Sequence, residues 1–220
     1  MTPERFARLR QVLDRRQPDL TVLMDNVHKP HNLSAVLRSC DAVGVLEAHA
    51  VWPGARLRPQ HDTSGGTGKW VPIVTHPDLP AACAALKAEG SRVVAAHRGK
   101  DAVDYQSVDY TRPTALLLGA ELTGVSEQGL ALADQRIVIP MLGMVHSLNV
   151  SVAAAIMLAE ARRQRQQAGL YDSPRLAPAR YRSLLFEWAH PKVAAWCRRH
   201  EVDYPPLDEH GDIIGSSWRV

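Results

Sequence analysis

The stretch IVIPMLGMVHSLNVSVAAAI, residues 137–156, changes character along its length. It opens as an apolar strand-like run that Pro140 ends, and it passes through a loop holding Gly143. After Ser147 and Asn149 it becomes an Ala-rich helix that runs to Gly169. A strand, a short polar loop and a helix in direct succession form the repeating unit of an α/β sheet. The loop sets backbone N–H and C=O groups beside a helix N-terminus, which can hold an adenosine or a carboxylate. Ser147 and Asn149 suit helix capping equally well.

Working outward, the same alternation recurs. TVLMDNV (21–27), EAHAVW (47–52), SRVVAA (91–96), PTALLLG (113–119) and RIVIP (136–140) read as strands, with WVPIVT (70–75) a weaker one because of Pro72. Helices are expected over 34–44, stopped by Gly44, over 78–89, and near 126–133. This alternation predicts a parallel sheet with helices on both faces. Residues 3–16 predict an N-terminal helix, with Thr2 as cap and Phe6, Leu9, Val12 and Leu13 on one face. Beyond about 171, Pro174 and Pro178 break the chain and two basic helical segments follow, 179–189 and 191–201. The expected division is therefore 1–18 as an N-terminal basic helix, 19–168 as the α/β domain, and 169–220 as a C-terminal basic extension.

Of 220 residues 45 % are apolar, enough for one sizeable core. No run reaches the roughly 18 apolar residues of a membrane span, and MTPERFARLR is charged where a signal peptide is apolar. A cytoplasmic location is expected. Cys40, Cys83 and Cys197 are odd in number and far apart, so buried free thiols are expected rather than disulfides. His28 and His31 lie close in HKPHN, but Pro30 argues against a helical pair and further ligands are lacking; no metal is expected. The net charge of +3 is unevenly spread. Residues 1–16 carry five Arg against two acids and residues 162–200 nine basic residues against two, leaving the remainder acidic. Clustered Arg at the chain ends suits a polyanion, although Arg-rich helix surfaces also serve solubility.

Two further blocks interrupt the apolar pattern at element boundaries. LLLGAELTGVS (116–126) brackets Glu121 between Gly119 and Gly124 just after a strand, where open sheets bind ligands. HNLSAVLRS (31–39) places Asn32 and Arg38 across a strand-to-helix junction. With Leu37 and Cys40 as neighbours, Arg38 is expected to be partly buried with an anionic partner.

The order N-x-S-A-x-L-R, G-x-E-x-x-G and I-P-M-x-G-x-x-x-S-L-N-V-S resembles the three motifs of the SpoU methyltransferases, within the SPOUT superfamily. The likeness covers about residues 20–166. RRQPDLTV and the basic C-terminal helices extend it towards the TrmH branch, the tRNA guanosine-2′-O-methyltransferases. It implies an α/β fold whose C-terminal part is a deep trefoil knot, N- and C-terminal helical extensions, and a homodimer. It also implies S-adenosyl-L-methionine as cofactor, held by loops at Ala96, at Gly119 to Glu121, and from Ile139 through Met141 to Leu148. Some relatives carry Thr where this chain has Ala96, so a hydroxyl contact is absent here.

The resemblance further implies methyl transfer to a ribose 2′-hydroxyl of tRNA, at guanosine 18 of the D-loop. Arg38 would be central, with Asn32, Glu121, Ser147 and Asn149 around it. A guanidinium is costly to deprotonate, so Arg38 is expected to clamp a phosphate and polarise the oxygen. Arg8, Arg15, Arg16, Arg162, Arg163 and Arg165 would grip tRNA phosphates.

Alternatives are ribosomal RNA methylation by the same fold and a non-catalytic RNA-binding module. A Rossmann site is excluded because HKPHN replaces the glycine-rich turn after the first strand. SGGTGK (64–69) fails as a phosphate loop because Thr63 and Trp70 stand at required positions.

Overall fold

A computed structural model describes residues 1–52 and 67–215. These fall into two compact units, Gln17–Leu170 and Met1–Arg16 with Tyr171–Val220. The two terminal segments, read from sequence as separate extensions, thus form one unit. Most of the expected loop 54–69, including SGG, lies outside the described residues.

In the larger unit, seven strands among the described residues form one sheet: β1 (Leu20–Asp25), β2 (Ala48–Val51), β3 (Ile73–His76), β4 (Arg92–Ala96), β5 (Val103–Asp104), β6 (Thr114–Leu118) and β7 (Gln135–Val138). Their order is β3-β2-β1-β6-β4-β7-β5, with every pairing parallel. β1, β2 and β6 are buried along their whole length, as strands covered on both faces must be. Leu20, Val22 and Met24 pack with Leu116, Leu118 and Ile137 against α2 (Pro30–Ala42) and α5 (Val150–Gln167). Leu23, Ala115 and Leu117 point the other way, onto α3 (Leu79–Ala88). Short α4 (Glu127–Leu132) follows β6.

Two expectations need correction. α2 begins at Pro30, not at Ser34, because proline at the first helical position loses no hydrogen bond and has a helical φ. His31 and Asn32 are therefore helical. β5 had no apolar periodicity to reveal it. Gly44 closes α2 at φ +81° as expected. Cys40, Cys83 and Cys197 are buried free thiols.

The smaller unit contains α1 (Pro3–Leu13), capped by Thr2, with α6 (Pro178–Ala189) and α7 (Pro191–Arg199). Tyr181 donates to Asp14 at 2.8 Å, and the Arg16 guanidinium lies 5.4 Å from the ring centre of Trp188. Among the described residues no helix is long and apolar enough to cross a membrane.

Candidate active site

Adjacent strands β6, β4 and β7 end at Leu118, Ala96 and Val138, and their C-terminal loops converge on a pocket of about 340 Å³. This is where an open parallel sheet presents its loops to a ligand. The floor is apolar: Leu118, Ile137, Val150, Ala153 and Met157. Ala96, Gly119, Glu121, Ile139, Met141 and Leu148, the residues expected to hold a cofactor, all line it, and Ser147 joins them.

Gly119 is demanded by packing. A Cβ there would lie 1.9 Å from the carbonyl carbon of Gly124 and 2.0 Å from the Val125 nitrogen. Gly124 sits at φ +70°, and Ala120 and Gly124 form an antiparallel bridge that closes the loop. Asp25, at the end of β1, tethers the loop's far side: its carboxylate accepts from Ser126 N at 3.0 Å and from the Asn26 amide at 2.8 Å. Ser126 in turn caps α4.

Asn32 and Asn149 stand behind the Glu121 side of the pocket in a directional chain. The Ser151 hydroxyl donates to Asn149 Oδ1 at 2.7 Å, Asn149 Nδ2 donates to Asn32 Oδ1 at 3.1 Å, and Asn32 Nδ2 donates to Glu121 Oε1 at 2.5 Å. One chain of amides thus ties all three sequence blocks together. Asn149 also caps α5 by accepting from Ser151 N, so capping and site-building are one act. Burial pushes the Glu121 carboxyl up, but the Asn32 amide, its own backbone N–H, Lys29 and His28 outweigh it. The net shift is downward, so Glu121 is an anion at neutral pH.

Arg38 departs from expectation. It is exposed, on the outward side of α2 away from Leu37 and Cys40, and no partner is recorded for it among the described residues. It does not line the pocket. Its fork is free for an anion from outside the chain.

The basic residues divide sharply. Arg8 and Arg15 are exposed, Arg8 donating to Gln11. Arg162 is exposed, and Arg163 is exposed but paired with Glu160 at 2.6 Å. Arg165 and Arg16 are 0 % exposed, which corrects their reading as phosphate contacts. Arg165 pairs with Asp19 at 2.7 Å and donates to Gln17 and to the carbonyls of Tyr110, Asp19 and Arg112. It pins α5 to the loops before β1 and β6.

Sequence reading missed His97, Arg98 and His146, which also line the pocket. Their place just after β4 and in the loop before α5 was the available signal. Pocket dimensions, main-chain loops and one anionic wall fit an adenosine carrying a sulfonium, which needs apolar walls, backbone partners and a compensating carboxylate.

A parallel sheet with a ligand pocket built from the late strands' loops defines the class, and the comparisons give it a family. Residues 19–159 match the SpoU rRNA Methylase family and residues 163–216 its C-terminal "SpoU, rRNA methylase" model; the chain belongs to this family. It is 50% identical over 215 residues to the tRNA (guanosine(18)-2′-O)-methyltransferase of Escherichia coli (strain K12), covering 97% of this chain and 94% of that protein. It superposes on the TrmH/SpoU tRNA modifying enzyme of Aquifex aeolicus with a TM-score of 0.80 and 43% identity, covering 86% and 97% of the two chains. The SpoU methyltransferase AviRb of Streptomyces viridochromogenes, in complex with the cofactor AdoMet, matches with a TM-score of 0.62 and 28% identity, covering 70% and 62%.

Proposed function

We propose that this protein transfers a methyl group from S-adenosylmethionine to the ribose 2′-hydroxyl of guanosine 18 in tRNA. The observation that carries the reading is the convergence of the three sequence blocks on one pocket wall, within a chain half identical over nearly all its length to an enzyme of that activity. S-adenosylmethionine supplies the methyl group on a sulfonium centre. Glu121, held ionised by Asn32, lends the pocket the negative charge that favours a cation. Ser147 and the loop Ile139–Leu148 enclose the ligand and exclude water. Arg38 clamps the RNA phosphate beside the reacting sugar and polarises its 2′-oxygen, while the proton passes to that phosphate or to water.

Three finer features belong to the same proposal. The segment from β6 through α5 is threaded as a deep trefoil knot; β4 lying between β6 and β7, with the tightly closed 119–124 loop, supports this. Two copies form a homodimer. Leu122, Leu142, Met144 and Val145 support that reading, because these large apolar side chains stand exposed in the pocket-forming loops and invite a covering surface. The smaller unit, with Arg8 and Arg15, grips tRNA phosphates, and Arg162 and Arg163 add to that grip. The protein acts without metal, in the cytoplasm.

The test is methyl transfer to unmodified tRNA, followed by mapping of the alkali-resistant linkage. Label at guanosine 18 is expected. Label in a ribosomal RNA fragment and none in tRNA would move the activity to the alternative substrate.

A further inference from the structure

We infer that Arg98 is the specificity residue for the amino-acid end of the methyl donor, clamping its carboxylate at the pocket mouth. The inference rests on the functional reading above. Among the described residues lining the pocket, Arg98 and Glu121 are the one guanidinium and the one carboxylate. The donor brings three charges, a sulfonium and an ammonium that favour the Glu121 side, and one carboxylate that needs a cation. Arg98 is the cation the wall provides.

Its position suits the task. Arg98 follows β4 by two residues and reaches across to the loop before α5, where Nη1 donates to the His146 carbonyl at 3.5 Å. That is the long limit of a hydrogen bond, so the fork is aimed but not spent. Among the described residues no carboxylate pairs with Arg98, whereas nearby Arg136 is neutralised by Asp101. Arg98 is exposed, so water screens the contact and the gain is moderate.

The experiment compares two ligands by calorimetry, with wild type and Arg98→Ala. S-adenosylhomocysteine keeps the carboxylate; 5′-methylthioadenosine keeps the adenosine and thioether but lacks the amino-acid end. Arg98→Ala is expected to weaken S-adenosylhomocysteine binding about 5- to 10-fold and leave methylthioadenosine binding unchanged, with Arg98→Lys recovering part of the loss. An equal loss for both ligands, or none for either, overturns the inference. Weaker tRNA binding with unchanged S-adenosylhomocysteine affinity also overturns it, and assigns the guanidinium to an RNA phosphate. If wild type binds neither ligand, the reading of the pocket itself fails, which the wild-type titration alone reveals.

Discussion

Replacing Asn32 with alanine cuts the amide chain at its centre. Asn32 is 2 % exposed, donates to Glu121 and accepts from Asn149. Its loss strands one carboxylate oxygen and one amide N–H, each worth about 1–3 kcal/mol if left dry. Glu121 is half-buried and Asn149 exposed, so water recovers much of this, and a net loss of about 1–2 kcal/mol is expected. The cost carries a pH signature. Glu121 titrates below an ordinary carboxyl in the folded protein, so its ionised form adds stability above the unfolded value, about 4.3. That contribution disappears as pH falls through the lower folded value. In Asn32→Ala the burial penalty stands less opposed and the carboxyl rises. Denaturant unfolding of both proteins from pH 7 to pH 3 should therefore show a stability gap that is widest near neutrality and narrows in acid. A gap that stays constant over this range would refute the claim that Asn32 acts through the Glu121 charge.

Arg165→Met should lower unfolding free energy by about 3–5 kcal/mol, because it breaks an ion pair made by a fully buried guanidinium and takes a donor from the carbonyls of Tyr110 and Arg112; denaturant titration measures it directly. Arg8→Ala should leave stability within about 0.5 kcal/mol, and Arg8→Ala and Arg15→Ala should each reduce the salt dependence of tRNA binding by about one unit of slope, read by filter binding across salt concentrations. Gly119→Ala should abolish the thermal shift given by S-adenosylhomocysteine, since its Cβ overlaps the Gly124 backbone and the loop must move. Arg38→Lys should retain wild-type melting and cofactor binding yet lose methyl transfer about 100-fold in single-turnover assays; near-normal turnover would show that a planar fork is unnecessary.

The sheet was legible where burial is simplest. β1 and β6 are apolar runs covered on both faces, and composition alone reveals such strands. Pro30 misled because the residue that breaks a helix interior also starts one, and the sequence does not say which. Arg165 was misread although its spacing from Leu158 and Ala161 places it on the inward face of α5. A basic side chain on the buried stripe of a helix is a tether, whereas Arg16, buried beyond the end of α1, had no helical periodicity to reveal it. Glycine and amide blocks foretold the pocket wall, since tight turns and polar atoms among apolar neighbours are visible in sequence. The Arg98 side of the wall was not, because one arginine after a strand has no pattern to mark it.

Asn32 lies 89 residues from Glu121 and 117 from Asn149. Contacts so remote in sequence close late, after the strands between them have found their places. Affinity for the donor is consequently a certificate of completion: a ribosome-bound or clipped chain lacking α5 would have no Asn149 and no finished wall. Ligand binding in this protein reports that the last helix has arrived.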